Sequence, residues 1–170
     1  GGDVSVAAFN VLNYFTTLGV EDASCQAYTD RDGNGVTVRT GCAQRGAWGP
    51  ADLQRQQDKL VEAITTLDAD VVGLMEIENS AALGDATDEA TETLVDALNA
   101  AAGSDRWEYV PSSMDLPDLT LQDVITNAII YQRDAVTPVG ASLALGDESG
   151  SGQAFVNARE PLGQVFEPAD

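Results

Sequence analysis

Apolar residues along this chain recur in two rhythms. Short runs rich in β-branched or alternating residues read as strands: 4–9 with Asn10 leaving it, 70–75, 107–110, 125–131, 136–145, 153–156 and the stretch ending at Phe166. Two longer stretches carry apolar residues at helical spacing. One opens at Pro50-Ala51-Asp52, with proline in the first turn and a carboxylate at its positive end. Its buried face is read as Leu53, Leu60, Ile64 and Leu67, and its polar face as Gln54, Arg55, Gln56 and Asp58. The other opens at Thr87-Asp88-Glu89, buries Leu94, Val95, Leu98 and Ala102, and stops at Gly103-Ser104. Strand, long connection, helix and strand in that order predict a crossover unit with parallel strands. Residues 80–86 read as loop, and Pro111–Pro117 as a turn-rich segment fit for a rim.

The run Val71–Met75 is the centre of the pattern. It is short, unbroken and led by paired valines, so it reads as a strand buried on both faces. It ends abruptly in Glu76-Ile77-Glu78-Asn79, just as the first strand ends in Asn10. A carboxylate and an amide oxygen at the ends of two neighbouring buried strands suit a hard cation, Mg²⁺ or Mn²⁺. Glu76 and Asn10 are therefore the candidate metal ligands and catalytic pair, with Glu78 and Asn79 as supports. Asn127 is polar within an apolar run, either satisfied by the backbone or turned into a site. Arg45 is a candidate phosphate contact, or equally a partner for one of the many carboxylates.

Residues 16–49 form a long Gly-, Asp- and Thr-rich connection holding the only cysteines, Cys25 and Cys42. Two thiols in a chain without histidine do not make a zinc site. The plain reading is a disulfide stapling the insertion, worth about 3 kcal/mol and pointing to an oxidising, exported setting; two unrelated buried thiols are the alternative. Within the insertion, Asp30, Asp32 and Asn34 alternate ahead of Gly35, like the first half of a calcium loop, but the twelfth position is Gly41 rather than glutamate. A Ca²⁺ site and a solvated Asp/Gly turn both fit.

Composition narrows the field. The 170 residues carry a formal net charge of −20 with eight Lys and Arg, which argues against broad attraction to a polyanion and confines any nucleic-acid contact to metal and a few arginines. No apolar run approaches the ~20 residues of a membrane span, so no membrane partner is expected.

Phe9-Asn10-Val11-Leu12-Asn13-Tyr14-Phe15, Arg45-Gly46-Ala47, Gln54-Arg55-Gln56 and Leu74-Met75-Glu76-Ile77-Glu78-Asn79 together resemble the secreted bacterial extracellular nucleases. These belong to the endonuclease/exonuclease/phosphatase superfamily, with the DNase I fold. The resemblance implies an α+β sandwich with a two-sheet core flanked by helices. It implies a metal-dependent hydrolase of extracellular DNA, or RNA, with Glu76 and Asn10 on the metal. It also makes Arg159, which precedes Glu160-Pro161, a phosphate contact, and sets Asp123 and Asn127 in a stretch similar to the family's Asp-Ala-Ile…Tyr strand, with Asn127 at the substrate. The family's second half brings histidine motifs, a Gly-Asp-Phe-Asn motif and a closing Asp-His pair, and none is present here. The resemblance therefore implies that residues 1–170 are the N-terminal half of one domain, nearly inactive alone, with the missing C-terminal half of the same domain as its partner. Two other readings remain. One keeps the fold and acts on lipid or sugar phosphates; the other is a non-catalytic, calcium-stabilised extracellular module.

Overall fold

The structure, a computed structural model, describes residues 3–156 and 159–169. The chain runs through β1 (Val6–Tyr14), β2 (Gln26–Thr29), β3 (Gly35–Thr40), α1 (Pro50–Leu67), β4 (Val71–Glu78), a single turn α2 (Ser80–Leu83), α3 (Glu89–Ala102), β5 (Trp107–Tyr109), β6 (Ile125–Gln132), β7 (Val136–Ala144) and β8 (Leu162–Pro168). It is an α+β fold. The main sheet has the order β1-β4-β6-β5. β1 and β4 are parallel neighbours joined through α1, as the crossover reading expects, and β6 runs antiparallel to both β4 and β5. β2–β3 and β7–β8 form separate two-stranded pairs.

One face of the sheet makes the core. Val11, Val72, Leu74, Ala128 and Ile130 meet Leu60 and Ile64 of α1 and Leu94, Val95 and Leu98 of α3. Leu67 and Ala102 are exposed rather than buried, because they lie in the final helical turns while the helical part of this cluster ends at Ile64 and Leu98. The opposite face is only partly covered. Tyr131 packs against Phe166 with ring centres 5.3 Å apart and planes tilted by 58°, and Val71, Val110 and Val136 close around them. Farther along that face Val6 is 74% exposed and Met75 39%. The central strands are therefore not buried on both faces, since the β7–β8 pair reaches only one end of the sheet.

Several boundaries also differ. β1 does not end at Phe9: it continues through Asn10 and pairs again at Tyr14, opposite Ile77. Residues 80–86 are not all loop, because α2 forms within them. Residues 153–156 form turns rather than a strand, in a Gly/Ser-rich segment with Gly152 at φ +84°. Ala158, the expected start of the last polar lead-in, lies outside the described residues.

The insertion is ordered by contacts that its polar composition conceals. Cys25 and Cys42 are bonded, tying the base of the β2–β3 hairpin. Trp48 fills a slot between Gly19 and Gly35. A Cβ on Gly19 would meet its ring at 2.7 Å and one on Gly35 at 2.5 Å, so glycine is required by close approach at both.

Asp70 fastens β1 to the start of β4. One carboxylate oxygen accepts the Ser5 N–H at 2.7 Å and the Ser5 hydroxyl at 2.8 Å. The Ser5 N–H, then its hydroxyl, hold the Asp70 carboxyl below its usual 3.8, with Arg106 adding to the effect. A carboxyl whose pKa is depressed by folding stabilises the fold above its unfolded pKa and loses that contribution as pH falls through the folded value. Asp70→Asn is expected to melt earlier in urea than wild type at pH 7, with the gap closing below about pH 4; a gap independent of pH would remove the carboxylate from this account. Replacing both cysteines by serine is expected to lower stability by about 3 kcal/mol, the chain-entropy value for a closed loop of this size. Equal denaturation midpoints would mean that the Trp48 contacts already hold the insertion.

Candidate functional site

β1 and β4 lose their regular pairing at the same end of the seam. Met75 stands opposite Asn10 on one side and Asn127 on the other, and the register with β6 then slips before Ile77. Glu76 is the extra residue of this bulge, at φ +62°. A glutamate in the left-handed region is uncommon and costs energy. The neighbours explain it. Leu74 and Ile77 both belong to the helix-side core. Regular alternation would carry the Glu76 carboxylate into that core as well, at several kcal/mol for an unpaired charge; the bulge spares it this. Glu76 is half-buried and makes no ion pair among the described residues.

β1 has a matching distortion, with Leu12 at φ +54° and Asn13 at +51°. Asn10 Oδ1 accepts the Leu12 N–H at 2.8 Å, rounding the bulge as an Asx turn. Gln56 holds the bulge from α1, its Nε2 donating to the carbonyls of Val11 at 3.0 Å and Leu12 at 2.9 Å. Gln56 therefore does not belong to the solvent face. Its spacing from Leu60 and Ile64, four and eight residues on, is the signal the sequence holds for this. The next residue, Gln57, accepts from the Tyr14 hydroxyl at 2.6 Å. Burial, with the Glu78 carboxylate adding, pushes the Tyr14 phenol well above its ordinary pKa, so it stays a donor. Of the five non-glycine residues at positive φ among those described, three lie in these two bulges. Strain is concentrated at the ends of the two strands.

The support residues are fixed by hydrogen bonds. Glu78, 2% exposed, accepts from the Thr16 hydroxyl at 3.0 Å, the Thr17 N–H at 2.9 Å and the Ser80 hydroxyl at 2.7 Å. These donors satisfy the carboxylate, so it serves to hold the loop after β1 against the end of β4. Asn79 donates to Gln122 Oε1 at 2.9 Å and to the Asp123 carbonyl at 3.0 Å, which fixes the approach to β6. Asp123 in turn gathers two arginines. Arg45 donates to both of its carboxylate oxygens, at 2.8 and 3.3 Å, and Arg159 lies 3.3 Å from one of them. Asn127 donates to the Glu160 carbonyl at 3.1 Å. The structure thus joins Arg45, Arg159 and Asp123 in one cluster, and sets Asn127 in the same cross-strand row as Asn10. The donors to Glu78 carry no sequence signal, since a Thr-Thr pair and a serine in loops are common.

The insertion's acidic residues lie elsewhere, in the β2–β3 turn. Asp30 accepts the N–H groups of Asp32 and Asn34, both at 2.9 Å, and the Asn34 amide at 3.2 Å. The Asn34 N–H and side-chain amide hold the Asp30 carboxyl below its usual range. Its oxygens close the turn. Asp22, Cys25 and Cys42 form the one cluster of three His, Cys, Asp or Glu groups among the described residues, and its two sulfurs are bonded to each other.

Asn10 and Glu76 fit a hard divalent cation by chemistry. The carboxylate has no ion-pair partner among the described residues, and the amide oxygen keeps a lone pair beyond its bond to Leu12. Mg²⁺ takes one or two protein carboxylates and fills its remaining positions with water and substrate oxygens. The φ +62° at Glu76 yields a test of position apart from ligation. Glu76→Gly is expected to be more stable than Glu76→Ala by about 1 kcal/mol, because glycine takes the left-handed region without the Cβ cost. Urea denaturation of the pair decides it, and equal stability would remove the strain. Comparison of the chain with protein-family models and with curated protein sequences returned no match.

Proposed function

We propose that this chain is part of an exported, divalent-metal-dependent phosphodiesterase acting on extracellular DNA or RNA. The observation that supports this most is the half-buried Glu76 carboxylate, without an ion-pair partner among the described residues and held in a strained bulge one residue past the position opposite Asn10. Strain of this kind persists where the surrounding structure over-determines a residue's position, and it clusters at functional sites. The resemblance to the secreted nucleases supplies the substrate class. The Cys25–Cys42 disulfide fits an oxidising compartment, and no helix among the described residues is long and apolar enough to cross a membrane.

In this reading Asn10 and Glu76 would hold the cation, which when bound would supply Lewis-acid chemistry at the phosphate and its attacking water. Arg45 and Arg159, steadied by Asp123, present guanidinium groups to the phosphate. With both arginines about two-fifths exposed, an incoming phosphate can compete with Asp123 for them. Asn127 stands beside the metal pair in the same cross-strand row. The chain contains no histidine, so no imidazole of these 170 residues serves as the proton-transfer group.

The test is plasmid hydrolysis by the full-length protein in Mg²⁺ or Mn²⁺. Glu76→Ala is expected to lower the rate by about 100-fold or more, and chelation to abolish it. Equal rates for wild type and Glu76→Ala would remove Glu76 from the metal.

A further inference from the structure

The chain carries 28 acidic and eight basic residues, yet its cations are not scattered. A groove of about 530 Å³ runs between the β2–β3 hairpin and the first half of α1, lined by Arg45, Arg55 and Lys59. A second depression of about 350 Å³ adds Arg39, and the two share Asn13, Val38 and Arg45. Half of all the basic residues thus line these two adjoining depressions, which together form a channel. Asp52 is the sole carboxylate among the lining residues. In a molecule where acids outnumber bases more than threefold, four cations here face a single lining carboxylate.

The channel has the parts for a strand of nucleic acid. Tyr28 lines it, is 56% exposed, and has the Arg39 guanidinium 5.8 Å from its ring centre. An exposed aromatic beside cations is the arrangement on which unpaired bases stack while the phosphates find charge. Lys59 and Arg39 make no ion pair among the described residues. Arg55 pairs with Asp52, and Arg45 with Asp123, at the surface, where such pairs contribute little and yield to a phosphate. Leu12 and Asn13 line the groove, and the Asn10 carboxamide accepts the Leu12 N–H. The channel therefore opens onto the bulge that carries a candidate metal ligand.

We propose that this channel is a binding site for single-stranded nucleic acid, holding consecutive phosphates on Arg39, Arg45, Arg55 and Lys59 with a base against Tyr28. The choice of nucleic acid as the polyanion rests on the phosphodiesterase reading; the channel itself rests on charge segregation. The test is fluorescence anisotropy of a labelled 15-nucleotide oligo(dT) with the 170-residue chain, in EDTA at low salt, so that neither metal nor hydrolysis enters.

Arg39→Glu with Lys59→Glu is expected to weaken binding tenfold or more and to flatten the dependence on log[salt] by about 0.7 for each phosphate no longer neutralised. Tyr28→Ala is expected to weaken it at least fivefold. Arg31→Glu with Arg133→Glu makes the same change in net charge outside the channel and is expected to leave affinity within twofold. Thermal melts of all variants show that each is folded. An equal loss in the Arg31/Arg133 control would reduce the effect to net charge and overturn the proposal. Displacement by polyphosphate of equal charge, with no effect of Tyr28→Ala, would also overturn it, in favour of a general polyanion surface. The channel test reads affinity in EDTA, without metal or turnover, so a failed hydrolysis test and a failed channel test are separate results.

Discussion

From Val6 to Asn10 and from Val71 to Met75 two backbones run parallel and in register, and the other elements take position from that seam. Parallel pairing needs a crossover, and α1 supplies it, laying Leu60 and Ile64 across the same face as Val72 and Leu74. Asp70 and Ser5 fasten one end of the seam through hydrogen bonds between residues 65 apart. At the other end both strands lose their regular pairing within a few residues, and the candidate chemistry is found there. A rigid seam with two irregular ends holds polar side chains accurately without placing them in the apolar core.

The two glutamates of β4 show how environment separates residues of one type. Glu78 is buried and accepts three hydrogen bonds, two of them from a loop remote in sequence. Glu76, two positions earlier, is half-exposed on a strained backbone and makes no ion pair among the described residues. The first belongs to the architecture, and the second is open to a ligand. An apolar residue at position 78 would leave the donors of Thr16, Thr17 and Ser80 without their acceptor, so the surroundings require a carboxylate there.

Legibility follows the range of the interaction responsible. The crossover, both main helices and the β6 strand are written in local periodicity, which a sequence carries openly. The cysteine pair and the prominence of Asn10 and Glu76 are also readable, because polar residues interrupt apolar runs there. The bulges are not. Whether Glu76 follows a strand or sits within one depends on Ile77 returning to the core, and that depends on helices packed from elsewhere in the chain. Gln56 reads as solvent-facing because it is an amide, although its spacing from Leu60 and Ile64 is visible in the sequence. The partner of Arg45 is unreadable, since any of 28 carboxylates would serve and only the fold selects Asp123.

The buried Glu78 carboxylate also governs how the molecule breathes. Its donors at Thr16 and Thr17 lie 62 and 61 residues away along the chain. If that loop lifts off alone, the Glu78 carboxylate loses two of its three hydrogen bonds while Ser80 still holds it at the end of β4. Such a loop has no inexpensive local opening. The Thr17 amide should exchange its proton with solvent only when the end of β4 opens too, so this surface loop moves as one cooperative unit with the interior strand rather than fraying at its own rate.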